Sequence, residues 1–339
     1  MTVRLGIVAI GRNEGERLRA CLRSVLGEHR VVVYVDSGST DDSVATARAM
    51  GAEVVELDLS MPFTAARARN EGFARLGKID QGLKFVQFID GDCEVVAGWL
   101  DRAAEELSKD EKVAVVCGRR RERHPQATVY NRLCDIEWNT PIGDAKGCGG
   151  DAMIRVAAFR EVNGYDPSVI AGEEPEMCVR LRARGWKIRR IDSEMTLHDA
   201  AMTRLGQWWK RNVRAGHAYA EGAAMHGRPP ERHGVKQVRS NWVWGLAVPI
   251  LILALAWPAW WASVVLLLAY PLMWFRIYRG ERRRGRTGCD ARTYSFFVVL
   301  GKLPQALGQL KFTWSRLRGK RSALIEYKSA VEPAIPVTR

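Results

Sequence analysis

Five short apolar segments, separated by polar stretches, divide the first 120 residues of the chain. Continuous apolar runs of this length, bounded by turn residues, are typical of buried β-strands. Helical patterns separate the earlier runs, so the chain is predicted to form right-handed βαβ units. We therefore expect an α/β fold with a mostly parallel sheet flanked by helices. The predicted strands are Leu5–Ile10, Val31–Val35, Glu53–Leu57, Phe85–Ile89 and Val113–Cys117.

Two helices are predicted between the first three strands, over Glu14–Leu26 and Asp41–Met50. The second is preceded by Ser39, with Asp42 three residues further on, and is followed by Gly51. These are typical start and stop signals of a helix. In such sheets ligands bind beyond the carboxyl ends of the strands, so the residues that follow each strand are the candidates for chemistry.

A different pattern occupies residues 242–275, where 34 consecutive residues carry no charge. One helix of that length would measure about 51 Å, whereas the hydrocarbon core of a bilayer is about 30 Å thick. Pro258 lies near the midpoint and favours a break. Basic residues flank both ends, so we expect a hydrophobic hairpin of two short membrane spans, or a re-entrant pair, with both ends cytoplasmic. A hairpin buried in a soluble core is the alternative.

Beyond the hairpin, apolar residues recur at spacings of three and four over about residues 293–318. Basic residues and glutamines lie between them, as in an amphipathic helix that rests on an anionic membrane surface. We expect a kink at Pro304, and a helix packed on the globular part is the alternative. The apolar positions are Phe296, Leu300, Leu303, Leu307, Leu310, Trp314 and Leu317.

The positive charge of the chain lies in the same C-terminal region. The formal net charge is +14, and residues 236–339 hold 17 basic against four acidic residues, whereas residues 1–235 hold 35 against 34. A uniformly basic nucleic-acid-binding domain is therefore the wrong default, and no nucleic-acid partner is expected. Seven scattered cysteines without a C-x-x-C pair, and an N-terminus without a signal-peptide pattern, favour the cytoplasm for the N-terminal part.

Two acidic motifs follow predicted strands. The sequence Asp36-Ser37-Gly38-Ser39-Thr40-Asp41 comes after the second strand, and Asp90-Gly91-Asp92 comes after the fourth. Two carboxylates separated by one small residue concentrate negative charge, which a divalent cation such as Mg²⁺ or Mn²⁺ would relieve. Each motif alone is equally compatible with a solvated turn.

Taken in order along the chain, these motifs resemble those of family 2 glycosyltransferases, the inverting, nucleotide-sugar-dependent class with the GT-A fold. The resemblance covers about residues 3–215. It is specific because the motifs form an ordered set with plausible spacing. The segments that carry it are Ile7–Glu14, Val35–Asp41, Ala68–Gly72, Phe88–Asp92 and Gly172–Glu176.

The resemblance implies a GT-A domain over residues 1–235, with a Rossmann-like nucleotide half over about 1–118 and an acceptor half over about 119–235. The basic, membrane-associated region would follow over 236–339. The implied partners are a nucleoside-diphosphate sugar, a saccharide acceptor linked to polyprenyl diphosphate, and a divalent cation. With the membrane features, this suggests exopolysaccharide or cell-envelope synthesis at the cytoplasmic face of the inner membrane.

Roles in donor and metal binding follow from the resemblance. Asp36 should hold the nucleobase with Arg69 nearby, and Asp90 should meet the ribose or the diphosphate. Asp92 should coordinate the metal, with His198 as a further ligand or, alternatively, a structural histidine. The implied nucleotide-sugar-binding residues are Ala9, Gly11, Asn13, Asp36, Arg69, Asp90 and Gly91.

The general base of the family is normally the Asp of a Glu-Asp pair that opens a helix, and here the pair is Glu173-Glu174. We assign the base to Glu174, with Glu173 as the rival. The implied reaction is a single displacement at the anomeric carbon, in which the base takes the proton of the acceptor hydroxyl and the sugar configuration inverts. The alternative is that these acids only complement the dipole of the helix.

Acceptor or diphosphate contacts are assigned to Gly149, Gly150 and Asp151 in a glycine-rich segment, and to Trp208 and Arg211. The last two lie in Gln207–Arg211, which partly matches the Gln-x-x-Arg-Trp element of processive synthases. It departs from that element because Lys210 stands where Arg is expected, which favours transfer of a single sugar. The basic cluster Arg119–Arg123 could hold a lipid diphosphate or form a solvated face.

Two other functions remain alternatives. One is a membrane-anchored scaffold that binds a nucleotide sugar at a degenerate site. The other is a nucleotidyltransferase on a related sheet, although the segment 10–17 is poor in the glycine that a pyrophosphate loop requires.

Overall fold

The computed structural model describes residues 4–319. Within them, nine strands form one sheet, and eight helices precede the C-terminal apolar region. The strands are β1 Leu5–Gly11, β2 Arg30–Asp36, β3 Glu53–Glu56, β4 Phe85–Asp90, β5 Cys93–Val95, β6 Val113–Glu122, β7 Gly143–Ala145, β8 Ala152–Arg155 and β9 Lys187–His198. The helices are α1 Glu16–Val25, α2 Ser43–Ala49, α3 Ala65–Ile79, α4 Trp99–Lys109, α5 Val129–Trp138, α6 Val156–Glu161, α7 Glu173–Ala183 and α8 Leu205–His226.

The sheet has the order β3-β2-β1-β4-β8-β6-β9-β5, and β7 pairs with β9. Neighbours among β1 to β4 are parallel, as are β6 and β9. Strand β8 is antiparallel to β4 and β6, and β5 and β7 are antiparallel to β9. All five predicted strands form, which confirms the α/β fold with a mostly parallel sheet. The carboxyl ends of β1, β2 and β4 therefore lie side by side, and the motifs that follow them are brought to one edge.

Helix α3 lies against β1 and β2 and carries the motif Ala68–Gly72. A side chain at Gly72 would collide with the γ-carbons of Val8 and Val35, so glycine is needed for the close approach of helix to sheet. This approach brings Arg69, one turn earlier on the same helix, into the interior behind the sheet edge.

The predicted start of α2 was wrong. The helix begins at Ser43 with Asp42 as the preceding residue, and the Ser39 hydroxyl does not cap it. Ser39 instead donates to Asp36 Oδ1 at 2.5 Å, because the loop after β2 folds back on its own aspartate. The predicted stop is confirmed: Gly51 follows the helix with φ of +91°, a conformation that favours glycine.

The apolar hairpin forms as two helical segments. The first runs over α9 Val235–Trp242, a π-helical turn Val243–Ala247 and α10 Val248–Leu255, and α11 Trp260–Arg283 returns. The break includes Pro258, as predicted. Both segments, Val235–Leu255 and Trp260–Arg283, are long and apolar enough to cross a membrane, and their apolar stretches are little buried by the rest of the described chain. Within residues 4–319 the hairpin is therefore not covered as a buried core hairpin would be.

The two hydroxyl groups of the uncharged stretch hold the hairpin together. Ser263 Oγ donates to the Ile252 carbonyl at 2.8 Å, and Tyr270 OH donates to the Trp244 carbonyl at 2.7 Å. Each hydroxyl bonds the backbone of the opposite helix, where it faces protein rather than the surroundings.

The predicted amphipathic helix is divided into α12 Gly288–Leu300 and α13 Lys302–Leu317. The kink expected at Pro304 was wrong, because the separation occurs at Gly301 and Pro304 falls in the first turn of α13, where proline is tolerated. Glycines 216 and 308 bring α8 and α13 so close that a side chain at either would collide with the other helix. The apolar stripe faces outward: Phe296, Leu303, Leu307, Leu310, Trp314 and Leu317 are exposed.

Candidate active site

A cleft of about 760 Å³ opens at the carboxyl edge of β1, β2 and β4 and is bounded on the other side by α7 and α8. Six arginines and five carboxylates line it, a dense array of opposite charges. Of the sequence-predicted residues, it brings together Gly11, Asn13, Arg69, Asp90, Gly91, Asp92, Gly150, Glu173, Glu174 and Arg211.

The nucleotide end of the cleft is formed by two interlocked loops. The backbone N–H of Asn13 donates to Ser39 Oγ at 2.9 Å, and the N–H of Thr40 donates to Asn13 Oδ1 at 2.7 Å. Asn13 adopts a left-handed conformation with φ of +56°, which asparagine tolerates better than most residues. The loops after β1 and β2 thus hold each other in place.

Asp36 lies beneath these loops and is buried. Its Oδ1 accepts hydrogen bonds from Tyr34 and Ser39, and its Oδ2 accepts from the N–H groups of Gly38 and Ser39 at 2.9 and 2.8 Å. In this structure both oxygens therefore organise the loop. Contact of Asp36 with a nucleobase stays a prediction. Such a contact would have to replace one of these four hydrogen bonds.

Arg69 contacts acids other than Asp36, and its place near the nucleobase stays a prediction. Its side chain, 2% exposed, donates from Nη1 to Glu173 Oε1 and from Nη2 to Asp90 Oδ1, both at 2.8 Å. Glu174 Oε1 lies 3.1 Å from the same Nη1. The reason is the close approach of α3 to the sheet, which directs this side chain to the space between β4 and the start of α7. A buried arginine here offsets three carboxylates.

Glu173 and Glu174 open α7 after Gly172, whose φ is +83°. Glu173 is 4% exposed and takes the aligned hydrogen bond from Arg69, whereas Glu174 has the looser contact. Burial, and then the charge of Glu173, raise the pKa of Glu174 to about 7, against the opposing charge of Arg69. A carboxylate with this pKa can accept a proton near neutral pH.

Asp92 and His198, the two predicted metal ligands, lie together; Asp92 lines the cleft, whereas His198 is buried and does not. His198 Nε2 lies 3.4 Å from Asp92 Oδ2, and Cys93 completes a cluster with ligand atoms within 4.8 Å of one another. Burial lowers the pKa of His198 to about 4, so the ring is neutral and able to ligate. Its Nδ1 is buried without a hydrogen-bond partner among residues 4–319. The Asp92 carboxylate suits Mn²⁺ or Mg²⁺, and the neutral His198 imidazole offers a nitrogen to a divalent cation. Burial raises the pKa of the Cys93 thiol, which therefore stays protonated.

Asp151 does not reach the cleft, which corrects its predicted contact with the acceptor. It is completely buried: Oδ2 accepts from Arg120 at 2.8 Å and from Thr196 at 2.7 Å, and Oδ1 accepts from the N–H of Asp90 at 3.2 Å. The antiparallel strand β8 begins directly after it and draws it beneath the site. Asp151 thus holds Arg120 and the backbone of Asp90.

The cluster Arg119–Arg123 is dispersed rather than held as one patch. Three of its arginines pair with acids away from the cleft: Arg119 with Asp135, Arg121 with Glu194 and Arg123 with Glu94. Only Arg120 of the four lines the cleft, because alternate residues of β6 point to opposite faces. Its guanidinium lies over the Trp138 ring, 5.4 Å from the centroid.

Two further predicted contacts are wrong. Ala9 is completely buried within β1, two residues short of the strand end. Trp208 is 1% exposed and packs against Phe297 of α12 at 5.1 Å between ring centroids, since this face of α8 turns toward the C-terminal helices. Arg211 is on the cleft face of α8 and pairs with Glu137 at 2.7 Å.

The two glycines of the predicted acceptor loop differ. A side chain at Gly150 would place its Cβ 2.6 Å from Arg69 Nη2 and 3.0 Å from Asp90 Oδ2, whereas Gly149 faces open space. The absence of a side chain at Gly150 therefore lets this loop pack against Arg69 and Asp90. Gly149 does not line the cleft.

Several cleft residues were not predicted from the sequence. Arg214 lies one turn after Arg211 on the same face of α8, a spacing that would have indicated it. Arg12 and Arg17 line the nucleotide end, and Tyr219 lines the wall formed by α8. Nothing in the sequence marks Tyr219, because its position depends on where α8 docks.

Comparison with known proteins agrees with this architecture. Residues 7–161 match the family model described as Glycosyl transferase family 2. The chain is similar to the pre-mycofactocin glycosyltransferase of Mycobacterium tuberculosis, with 26% identity over 235 residues that cover 63% of this chain and 46% of the relative. The chain thus spans about half the length of the curated relatives it matches.

The solved structures include a mannosyltransferase, PcManGT from Pyrobaculum calidifontis, in complex with GDP-Man and Mn²⁺. It matches with a TM-score of 0.61 at 15% identity, covering 93% of this chain and 88% of that one. This likeness extends the fold assignment over nearly the whole chain. Residues 7–161 are thus similar to family 2 glycosyltransferases, and the chain has the GT-A fold.

Proposed function

We propose that the protein is an inverting glycosyltransferase that moves one sugar from a nucleoside diphosphate to a saccharide acceptor. The observation that carries the proposal is that one cleft holds both Glu174, a carboxylate with a raised pKa, and Asp92, a candidate metal ligand. His198 Nε2 lies 3.4 Å from Asp92 Oδ2. The cleft thus combines a proton acceptor with a site for a charged leaving group.

Glu174 is the general base of the proposed reaction. It takes the proton of the acceptor hydroxyl as that oxygen attacks the anomeric carbon from the side opposite the leaving diphosphate, so the configuration inverts. Glu173 is less suited to this role, since its carboxylate is engaged by the aligned hydrogen bond from Arg69. Arg69 also binds Asp90 and so joins the base to the donor half of the cleft.

Asp92 and His198 are the residues that would hold a divalent cation. When bound, such a cation neutralises charge on the diphosphate. Arg120, held by Asp151, supplies a fixed positive charge in the same cleft. The paired loops at Asn13 and Thr40 would enclose the nucleoside.

The acceptor is proposed to be lipid-linked, bound at the cytoplasmic face of the inner membrane during exopolysaccharide or cell-envelope synthesis. Support comes from the apolar hairpin and from the outward apolar stripe of α13, which packs on α8, the helix that lines the cleft. Arg211 and Arg214 of α8 would face the acceptor end. We propose the boundary between the catalytic domain and the membrane-associated region at residue 235.

A donor screen tests the proposal. The full chain in detergent or vesicles would be incubated with Mn²⁺ and a panel of UDP-, GDP- and dTDP-sugars, and release of nucleoside diphosphate measured with and without lipid extract. We expect turnover with at least one donor, and a loss of about 100-fold or more in Glu174→Gln. Binding of a donor without turnover under any condition would favour the scaffold alternative.

A further inference from the structure

The loop of residues 163–166 is fixed to α3 next to Arg69 by hydrogen bonds with Asn70. Asn70 Nδ2 donates to the Tyr165 carbonyl at 2.7 Å, and Asn70 Oδ1 accepts from the Tyr165 N–H at 3.0 Å. Gly164, with φ of +66°, allows this approach, since a Cβ there would lie 2.6 Å from Asn70 Oδ1. The neighbour of Arg69 on α3 thus determines where Tyr165 lies.

The ring of Tyr165 lies against the Arg69 guanidinium. The guanidinium carbon is 5.6 Å from the ring centroid, and the tyrosine is 1% exposed. The ring is itself held by Phe88 and Phe159, with centroid distances of 5.3 and 5.4 Å. A guanidinium that stacks on an aromatic ring keeps its N–H groups for hydrogen bonds in its own plane.

The hydroxyl of Tyr165 makes no hydrogen bond to any residue in 4–319. It is buried without a partner among the described residues. The ring, rather than the hydroxyl, is therefore what the position requires, and phenylalanine should replace it without loss. Replacing Tyr165 by phenylalanine therefore separates the effect of the ring from the effect of the hydroxyl.

We propose that Tyr165 is a positioning residue for sugar transfer. Its ring fixes Arg69 so that the guanidinium donates its hydrogen bond to Glu173, and Glu174 stays available to the acceptor. The inference rests on the proposed function, in which Glu174 is the base. It adds a residue that touches neither donor nor acceptor but fixes the arginine between the two glutamates.

The charged groups around Glu174 come from four elements. Glu173 of α7 and Asp90 of β4 raise its pKa, and Arg69 of α3 lowers it. Arg211 and Arg214 of α8 line the same cleft. Without the Tyr165 ring, Arg69 gains freedom to move toward Glu174 and water gains access to the cluster. Both changes stabilise the ionised carboxylate, so the pKa of Glu174 should fall.

The test compares three variants in full-length protein, using the donor found by the screen with Mn²⁺. Tyr165→Phe keeps the ring, Tyr165→Leu removes it, and Phe73→Leu removes a ring that packs on Phe159 at 4.6 Å between centroids. The pH dependence of kcat and of kcat/KM would be measured between pH 5 and 9. We expect wild-type profiles for Tyr165→Phe and Phe73→Leu. Tyr165→Leu should lower kcat about tenfold, with its acid limb shifted downward by about half a pH unit or more.

The outcomes are distinguishable. A wild-type profile for Tyr165→Leu, or an equal shift in Phe73→Leu, overturns the inference. Wild-type turnover by Glu174→Gln instead overturns the proposed base. If Tyr165→Leu does not fold, Asn70→Ala releases the loop by removing both hydrogen bonds to Tyr165 and should shift the acid limb in the same direction. An unchanged profile in folded Asn70→Ala then contradicts the inference.

Discussion

His198 and Asp92 meet at the end of the sheet, with Nε2 of the histidine 3.4 Å from Oδ2 of the aspartate. One residue ends β9 and the other follows β4, and the backbone N–H of Asp199 donates to the Asp92 carbonyl at 3.3 Å to hold the two segments together. Because burial keeps the histidine neutral, the pair offers one oxygen and one nitrogen to a cation.

The first prediction concerns this pair. Asp92→Ala and His198→Ala should each weaken Mn²⁺ binding about 10-fold or more, since each removes one of few protein ligands. Calorimetric titration with Mn²⁺ in the presence of a nucleoside diphosphate would measure the effect. Asp58→Ala, at an exposed acid outside the cleft, is the control and should bind as wild type. Unchanged affinity in both site variants would rule out this pair as the metal site.

The second prediction concerns stability and pH. Because the folded-state pKa of Glu174 is raised to about 7, its folded form binds a proton that the unfolded chain has lost. The stability linked to this proton is present below about pH 4.5 and is lost as pH rises through about 7. Glu174→Gln should therefore be more stable than wild type at pH 8, by at most about 3 kcal/mol, and should lose this advantage at pH 4.5.

Urea unfolding at both pH values would measure this difference. Glu221 titrates in the same range, with a pKa raised to about 7 by burial, so only the difference between wild type and Glu174→Gln reports on Glu174. A stability difference that does not depend on pH would contradict the raised pKa.

The third prediction uses two adjacent glycines. Gly150→Ala should lower turnover about tenfold or more, because its Cβ would lie 2.6 Å from Arg69 Nη2 and displace the cluster around the base. Gly149→Ala faces open space and should fold and bind donor as wild type. Steady-state kinetics with the identified donor would compare them. Equal activities would show that the close packing at Gly150 is not needed.

The fourth prediction concerns the hairpin. Leu253 and Leu268 are exposed on its two helices, and replacing both by arginine should release the protein from membranes, since each charge at the centre of a span costs about 3 kcal/mol. Flotation in a sucrose gradient after a carbonate wash separates membrane-bound protein from aggregates. Leu59→Arg changes an equally exposed leucine of the globular part and should float as wild type. Soluble wild-type protein would contradict the anchor.

The sequence predicted the part of the site that follows the parallel strands. Strand ends at one edge bring Gly11, Asp90 and Asp92 together whatever the packing elsewhere, so their meeting was predictable. The ordered motifs also indicated Glu173 and Glu174, although no strand connects them to that edge.

What was missed depends on tertiary packing. Asp151 and Trp208 were predicted to contact the acceptor, yet Asp151 is buried and hydrogen-bonded to Arg120 and Thr196, and Trp208 turns toward α12. Periodicity shows that a residue lies on a helix face but not which partner covers that face. For the same reason Tyr165, whose position is set by Asn70 of a distant helix, carried no signal.

The most direct measurement is the anomeric configuration of the product, followed by NMR as the wild-type enzyme and Glu174→Gln act on an α-linked sugar nucleotide. We expect the wild type to form a β-linked product initially, and Glu174→Gln to form it at least about 100-fold more slowly. Retention of the α configuration, or an equal rate in the variant, would contradict direct displacement with Glu174 as the base.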